Sequence, residues 1–212
     1  MNVILVGIIV ANALISYQGF NDFSFFRKYE FHIGSIRSGE QIRMLSSGFL
    51  HVDMLHLIFN MYTLWVFAPE VINWFDTLSF VLIYFGSLIF GNLLTLLFHK
   101  DDYSYRAVGA SGAVTGVLYS AILLHPEKTL GLFFVIPIPA ILFGILYLLY
   151  SIYGMKAKND NIGHTAHFGG AVGGYLITLI KEPSLFVDNT LMVVLLAIPI
   201  LILFGMAKLG KL

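Results

Sequence analysis

Serine and histidine are the residue types that could do covalent chemistry here, because the chain has no cysteine. Ser111 stands in Gly109-Ala110-Ser111-Gly112, with Thr115 and Gly116 one turn on. His167 stands in Ala166-His167-Phe168-Gly169-Gly170, with Gly174 a turn further and His164 three residues earlier. His51, His56 and Asn60 form a third polar set, in which His56 and Asn60 are four apart and share one helix face. A serine hydroxyl is a poor nucleophile until a base takes its proton, and histidine is the most frequent base. Gly112 and Gly116, and again Gly170 and Gly174, form small-xxx-small stripes that allow close backbone approach. Such an approach is what a short serine–histidine hydrogen bond between two helices requires.

Each feature alone has a plainer reading. A serine in a membrane helix usually bonds back to a carbonyl one turn earlier, and glycine stripes mostly serve packing. A single histidine near a helix end is more often interfacial than catalytic. His32, His99 and His125 fall at loops or span ends and receive no role, while Asp53 reads as the cap of a helix. The weight comes from the three polar sets standing together on three separate apolar segments.

The elements that must position these residues are membrane helices. The 212 residues are 58% hydrophobic and 11% charged, and mean hydropathy is +0.85. Soluble domains carry about 25% charged residues. Twelve basic against twelve acidic residues leave no surplus to attract nucleic acid, and the absence of cysteine removes disulfides, thiolate metal sites and thiol catalysis. Apolar runs lie near 2–18, 48–68, 78–98, 108–124, 131–150, 163–180 and 188–207. All seven read as helices, because lipid leaves an unpaired strand unsatisfied. The first run has no basic flank and no cleavage site, so it reads as a retained span. The long connection from Gly19 to Ser47 mixes charges with aromatic residues and suits the membrane interface. The expected architecture is all-α, a single polytopic membrane domain over 1–212.

Taken together, Gly109-Ala110-Ser111-Gly112, Ala166-His167 with Gly170 and Gly174, and the His51/His56/Asn60 pattern resemble the motifs of the rhomboid intramembrane serine proteases. Arg43, eight residues before His51, matches the arginine such proteins carry in their first loop, and 136–153 looks like their fifth helix. The resemblance implies a six-helix catalytic core over 1–181, with 182–212 an added C-terminal transmembrane helix. It further implies Ser111 as nucleophile and His167 as general base and acid. His56, Asn60 and the Ser111 backbone N–H would bind the oxyanion. His51, Gly109, Gly112, Gly170, Gly174 and Arg43 would support them.

No carboxylate stands on either motif, Asp160 lying in a loop seven residues before His167, so a dyad is expected and no metal or other cofactor. The fourth helix should begin below the membrane surface, under a polar cavity lined by His51, His56 and Asn60. The expected partners are transmembrane protein substrates and the lipid bilayer, with the fifth helix and 155–161 as gate and cap. By resemblance the location is a bacterial inner membrane. Two positions depart from the family pattern. Thr115 stands where an aromatic ring often stacks on the base, with Tyr119 too far along to replace it. Ala68, Pro69 and an early Glu70 replace the usual small residue and glutamate after the second helix.

Two other classes compete. One is a protease-dead, derlin-like binder of membrane helices, in which Ser111 and His167 would be idle. The other is a metal transporter using His51, His56, His164 and His167, although this set lacks a carboxylate and the HExxH pattern. Ten of the twelve Lys and Arg residues fall on the side of the Ser111 end of the fourth run. The positive-inside rule would make that side cytoplasmic, whereas the family resemblance implies a cytoplasmic N-terminus on the opposite side.

Overall fold

The computed structural model describes residues 2–132, 136–157 and 162–211. Among these, seven helices of 14 residues or more carry the fold: α1 (Val3–Asn21), α2 (Met54–Trp74), α3 (Thr77–Phe98), α4 (Ser111–Leu124), α5 (Ala140–Ala157), α6 (His164–Lys181) and α7 (Thr190–Lys208). Five of them, α1, α2, α3, α5 and α7, are long and apolar enough to cross a membrane. The other two have local reasons. α4 has only 14 residues, and α6 spends four of its positions on glycine and two on histidine. Large apolar side chains face outward along the long helices, among them Leu14, Leu55, Leu78, Leu97 and Leu201, as a lipid-facing surface requires.

Asparagine and aspartate set three of the helix starts by accepting otherwise unpaired backbone N–H groups. Asn2 accepts from Ile4 and Leu5 at 3.0 and 3.2 Å, Asp53 from His56 at 2.7 Å, and Asp76 from Ser79 at 2.6 Å. The bond from Ser79 holds the Asp76 carboxyl below the ordinary carboxylate range. α2 consequently begins at Met54 rather than near residue 48. Ser47–Phe49 form a 3₁₀ turn, and the chain reaches the Asp53 cap in extended and bent conformations.

The expected fifth run is also corrected. Residues Thr129–Leu132 and Ile136–Pro139 are strands β3 and β4, paired antiparallel, and the helix starts only at Ala140. Pro137 and Pro139 explain this, because the residue before a proline is pushed to extended backbone and proline gives no N–H to a helix. Of the expected cap, 155–157 belong to α5, and 158–161, including Asp160, lie outside the described residues.

The connection after α1 folds as short helices at Phe23–Tyr29, Ile33–Arg37 and Arg43–Ser46. Its strand β1 (Phe31–His32) pairs antiparallel with β2 (Arg106–Ala107), which leads into α4. Arg43 is buried there and donates to the carbonyls of Arg27 and Glu30 at 2.8 and 3.0 Å, while its Nε meets Glu40 at 2.6 Å. Glu30, also buried, pairs with Arg27 and Arg106. His32 caps Ile33–Arg37, and burial together with nearby Arg106 lowers its pKa.

α4 is the centre of the bundle, packed by α6, α3, α2 and α5. Every residue of α4 after Ser111 is buried. The glycine stripes meet across the α4–α6 contact. A Cβ on Gly170 would lie 2.0 Å from the Gly112 carbonyl oxygen, and one on Gly174 would lie 2.1 Å from that of Gly116. A second seam joins α6 to α3, where a Cβ on Gly169 would lie 2.8 Å from the Gly91 Cα.

Candidate active site

The loop entering α4 is pinned from two sides. Gly109 N–H donates to the Ser47 carbonyl at 3.0 Å, and Ala110 N–H donates to His51 Nε2 at 3.3 Å. Since His51 Nε2 accepts, its Nδ1 carries the proton and donates to Ser16 Oγ at 2.8 Å, which in turn donates to the Phe49 carbonyl at 2.9 Å. His51 is fully buried with both ring nitrogens engaged. It therefore braces α1, the segment before α2 and the loop before α4, and does not line an open cavity.

Gly109 turns the chain at a φ of +132°, a conformation that L side chains rarely adopt. The turn brings Ser111 to the first position of α4, and Ala110 supplies no side-chain cap there. The leading N–H groups of a helix have no acceptor within it, and the positive end of the helix dipole lies at the same place.

Across the glycine seam, His167 Nε2 lies 2.7 Å from Ser111 Oγ. That is an ordinary length for a serine hydroxyl donating to an imidazole nitrogen. The other ring nitrogen, Nδ1, lies 3.0 Å from the hydroxyl of Tyr147 on α5. The Tyr147 ring stacks on His167 with the planes 22° apart, and its hydroxyl lies 3.4 Å from Thr115 Oγ1. Nothing in the sequence around Tyr147 sets it apart from Tyr150 and Tyr153 in the same apolar run. Tyr119 points elsewhere, donating to the Gly144 carbonyl.

His56 lies against the turn, close enough that a Cβ on Gly109 would be 2.8 Å from its Cε1 and 3.5 Å from Ser111 Oγ. Its Nδ1 is buried without a hydrogen-bond partner among the described residues. Asn60, one turn along, donates through Nδ2 to the His56 carbonyl at 3.0 Å. Arg43 lies outside this group, in the brace of the first connection. His164 packs edge-on to Tyr150, and a Cβ on Gly154 would lie 2.1 Å from its Nε2. Among the described residues, no three His, Asp or Glu side chains are grouped to hold a metal ion.

The family model described as Rhomboid domain matches residues 38–184, which include all three polar sets. The chain belongs to the rhomboid family. Putative rhomboid protease YdcA of Bacillus subtilis is 32% identical over 148 residues, 68% of this chain and 69% of that protein. RHOMBOID-like protein 12, mitochondrial, of Arabidopsis thaliana is 29% identical over 79% of this chain and 55% of its own length. Presenilin-associated rhomboid-like protein, mitochondrial, of Homo sapiens is 30% identical over 62% of this chain and 35% of its own length. The chain thus spans about half of the plant relative and about a third of the human one. This rhomboid is a multi-pass membrane protein, and relatives in both Bacillus and mitochondria favour neither a bacterial inner membrane nor an organellar one. α7 lies beyond the matched residues.

Proposed function

We propose that this rhomboid is an intramembrane serine endopeptidase that hydrolyses peptide bonds in or beside the transmembrane segments of other membrane proteins. The observation that carries the reading is the 2.7 Å contact between Ser111 Oγ and His167 Nε2, made between two helices inside the bundle. Two Bacillus subtilis relatives, Putative rhomboid protease YdcA and Rhomboid protease GluP, are named as proteases, which supports the same reading. Residues 1–181 would form the catalytic core of one membrane domain, with 182–212 added to it.

In this mechanism His167 Nε2 takes the Ser111 proton as Oγ attacks the substrate carbonyl carbon. The carbonyl oxygen becomes an oxyanion beside the N-terminus of α4, where the Ser111 N–H, His56 and Asn60 donate to it. A donor of this kind is typically worth about 10²–10³ in rate. His167 then gives its proton to the leaving amine, and the new N-terminus departs. Water attacks the acyl-serine, losing its proton to His167, which returns that proton to Ser111. The substrate must present an unwound stretch, because a helix hides its carbonyls in its own hydrogen bonds.

A fluorophosphonate probe tests the nucleophile without knowledge of the substrate. Purified wild type should be labelled at Ser111, with Ser111→Ala and His167→Ala both unlabelled. Equal labelling of all three would contradict the proposal.

A further inference from the structure

We propose that Tyr147 is the positioning residue of the general base, supplied from α5, and that α7 holds it in place. The inference rests on the serine–histidine reading above. For His167 Nε2 to accept from Ser111, Nδ1 must carry the ring proton, and the Tyr147 hydroxyl oxygen lies 3.0 Å away to accept it. That acceptor fixes both the tautomer and the rotation of the ring, a task given to a carboxylate in a triad. Accepting there leaves the Tyr147 proton to be donated to Thr115 Oγ1, 3.4 Å away, a contact in which either hydroxyl can donate. Thr115 is therefore the far end of this chain of contacts.

The tyrosine ring is itself held. Phe143, one turn earlier, stacks on it with centroids 5.8 Å apart and planes 14° apart, and His167 stacks at 6.1 Å. The three rings make a continuous column from α5 to α6. Three residues before Tyr147, Gly144 receives the Tyr119 hydroxyl on its carbonyl oxygen. On the α7 side, a Cβ on Gly144 would lie 2.9 Å from Leu196 Cδ2, and Leu196 is fully buried. α5 packs chiefly on α6 and α7. The helix beyond the matched family residues thus fixes the height and rotation of α5 next to Tyr147, giving α7 a function at the base.

The test uses the full-length protein in proteoliposomes with a tagged single-span substrate. Tyr147→Phe keeps the column of rings and removes only the hydroxyl. One ordinary hydrogen bond corresponds to roughly a tenfold change in rate. We expect kcat to fall about 5- to 30-fold, with KM and the thermal unfolding midpoint unchanged. Tyr147→Leu, which also removes the ring, should fall several-fold further. Leu196→Ala should lower kcat in the wild-type background and much less in Tyr147→Phe, because both act on the same contact.

A Tyr147→Phe enzyme within twofold of wild-type kcat would overturn the proposal. So would a change confined to KM, which would make Tyr147 a substrate contact. Equal effects of Leu196→Ala in both backgrounds would overturn the role of α7. If the wild type neither cleaves nor reacts with the fluorophosphonate, the protease reading itself fails, and that result is distinct from an active wild type indifferent to Tyr147.

Discussion

Gly109 shows how narrow the tolerances are at the residue scale. Its φ of +132° turns the chain into α4, and its missing Cβ leaves room for the His56 ring. Gly109→Ala meets both constraints at once. The strain should cost about 1–2 kcal/mol of stability, and displacement of His56 and Ser111 should lower cleavage at least about tenfold. Gly39 also has positive φ, at +107°, but has nothing within 4 Å of its would-be Cβ. Gly39→Ala should therefore lose stability and keep kcat, as paired unfolding and cleavage assays would show; equal loss of kcat in both would remove the special claim for Gly109. Ser111, His167, His56 and Asn60 were legible because polar groups inside apolar runs are costly and stand out. Tyr147 was not, since it is one of several tyrosines in the apolar run of α5. The signal that something was missing lay at Thr115, but sequence spacing on α4 cannot name a partner on another helix.

The α4–α6 seam is the element on which the geometry rests. With Gly170 and Gly174 facing backbone oxygens, an added side chain cannot be accommodated by rotating a neighbouring side chain. Gly170→Val or Gly174→Val should destabilise the bundle by about 3 kcal/mol or more and separate Ser111 from His167. Gly7→Val on α1, where nothing lies within 4 Å of the would-be Cβ, is the matched control. Denaturant unfolding in micelles, with fluorophosphonate labelling of the folded fraction, reads both effects; a Gly170→Val protein as stable as the control would refute the seam. The four-residue spacing of glycines made this contact legible in the sequence. The parallel seam of Gly169 and Gly91 between α6 and α3 follows the same physics, yet the Gly170/Gly174 stripe read from the sequence does not include Gly169. The start of α5 was misread for a different reason. Hydropathy continues through 131–139, but Pro137 and Pro139 impose extended backbone on residues whose side chains are as apolar as a helix requires.

On the scale of the whole molecule, the unequal charge bears on orientation. By the order of apolar runs in the sequence, ten of the twelve Lys and Arg residues fall on the side of the Ser111 end, against two on the other. Arg27, Arg43 and Arg106 are bonded to Glu30, Glu40 or backbone carbonyls, and Arg37 donates to Tyr103. These four serve the fold, so their number is a weaker guide to topology than the positive-inside rule assumes. A reporter fused after Leu212 should accordingly be active outside the cytoplasm, and cytoplasmic activity would mean the charge bias prevails. In the proposed mechanism Ser111 and His167 act together as a peptidase. It is tested most directly by cleavage of a tagged single-span substrate in proteoliposomes, comparing wild type with Ser111→Ala and His167→Ala. We expect product from wild type and a loss of at least about 10³-fold in each variant. Equal product from all three, or cleavage surviving in Ser111→Ala, would contradict it.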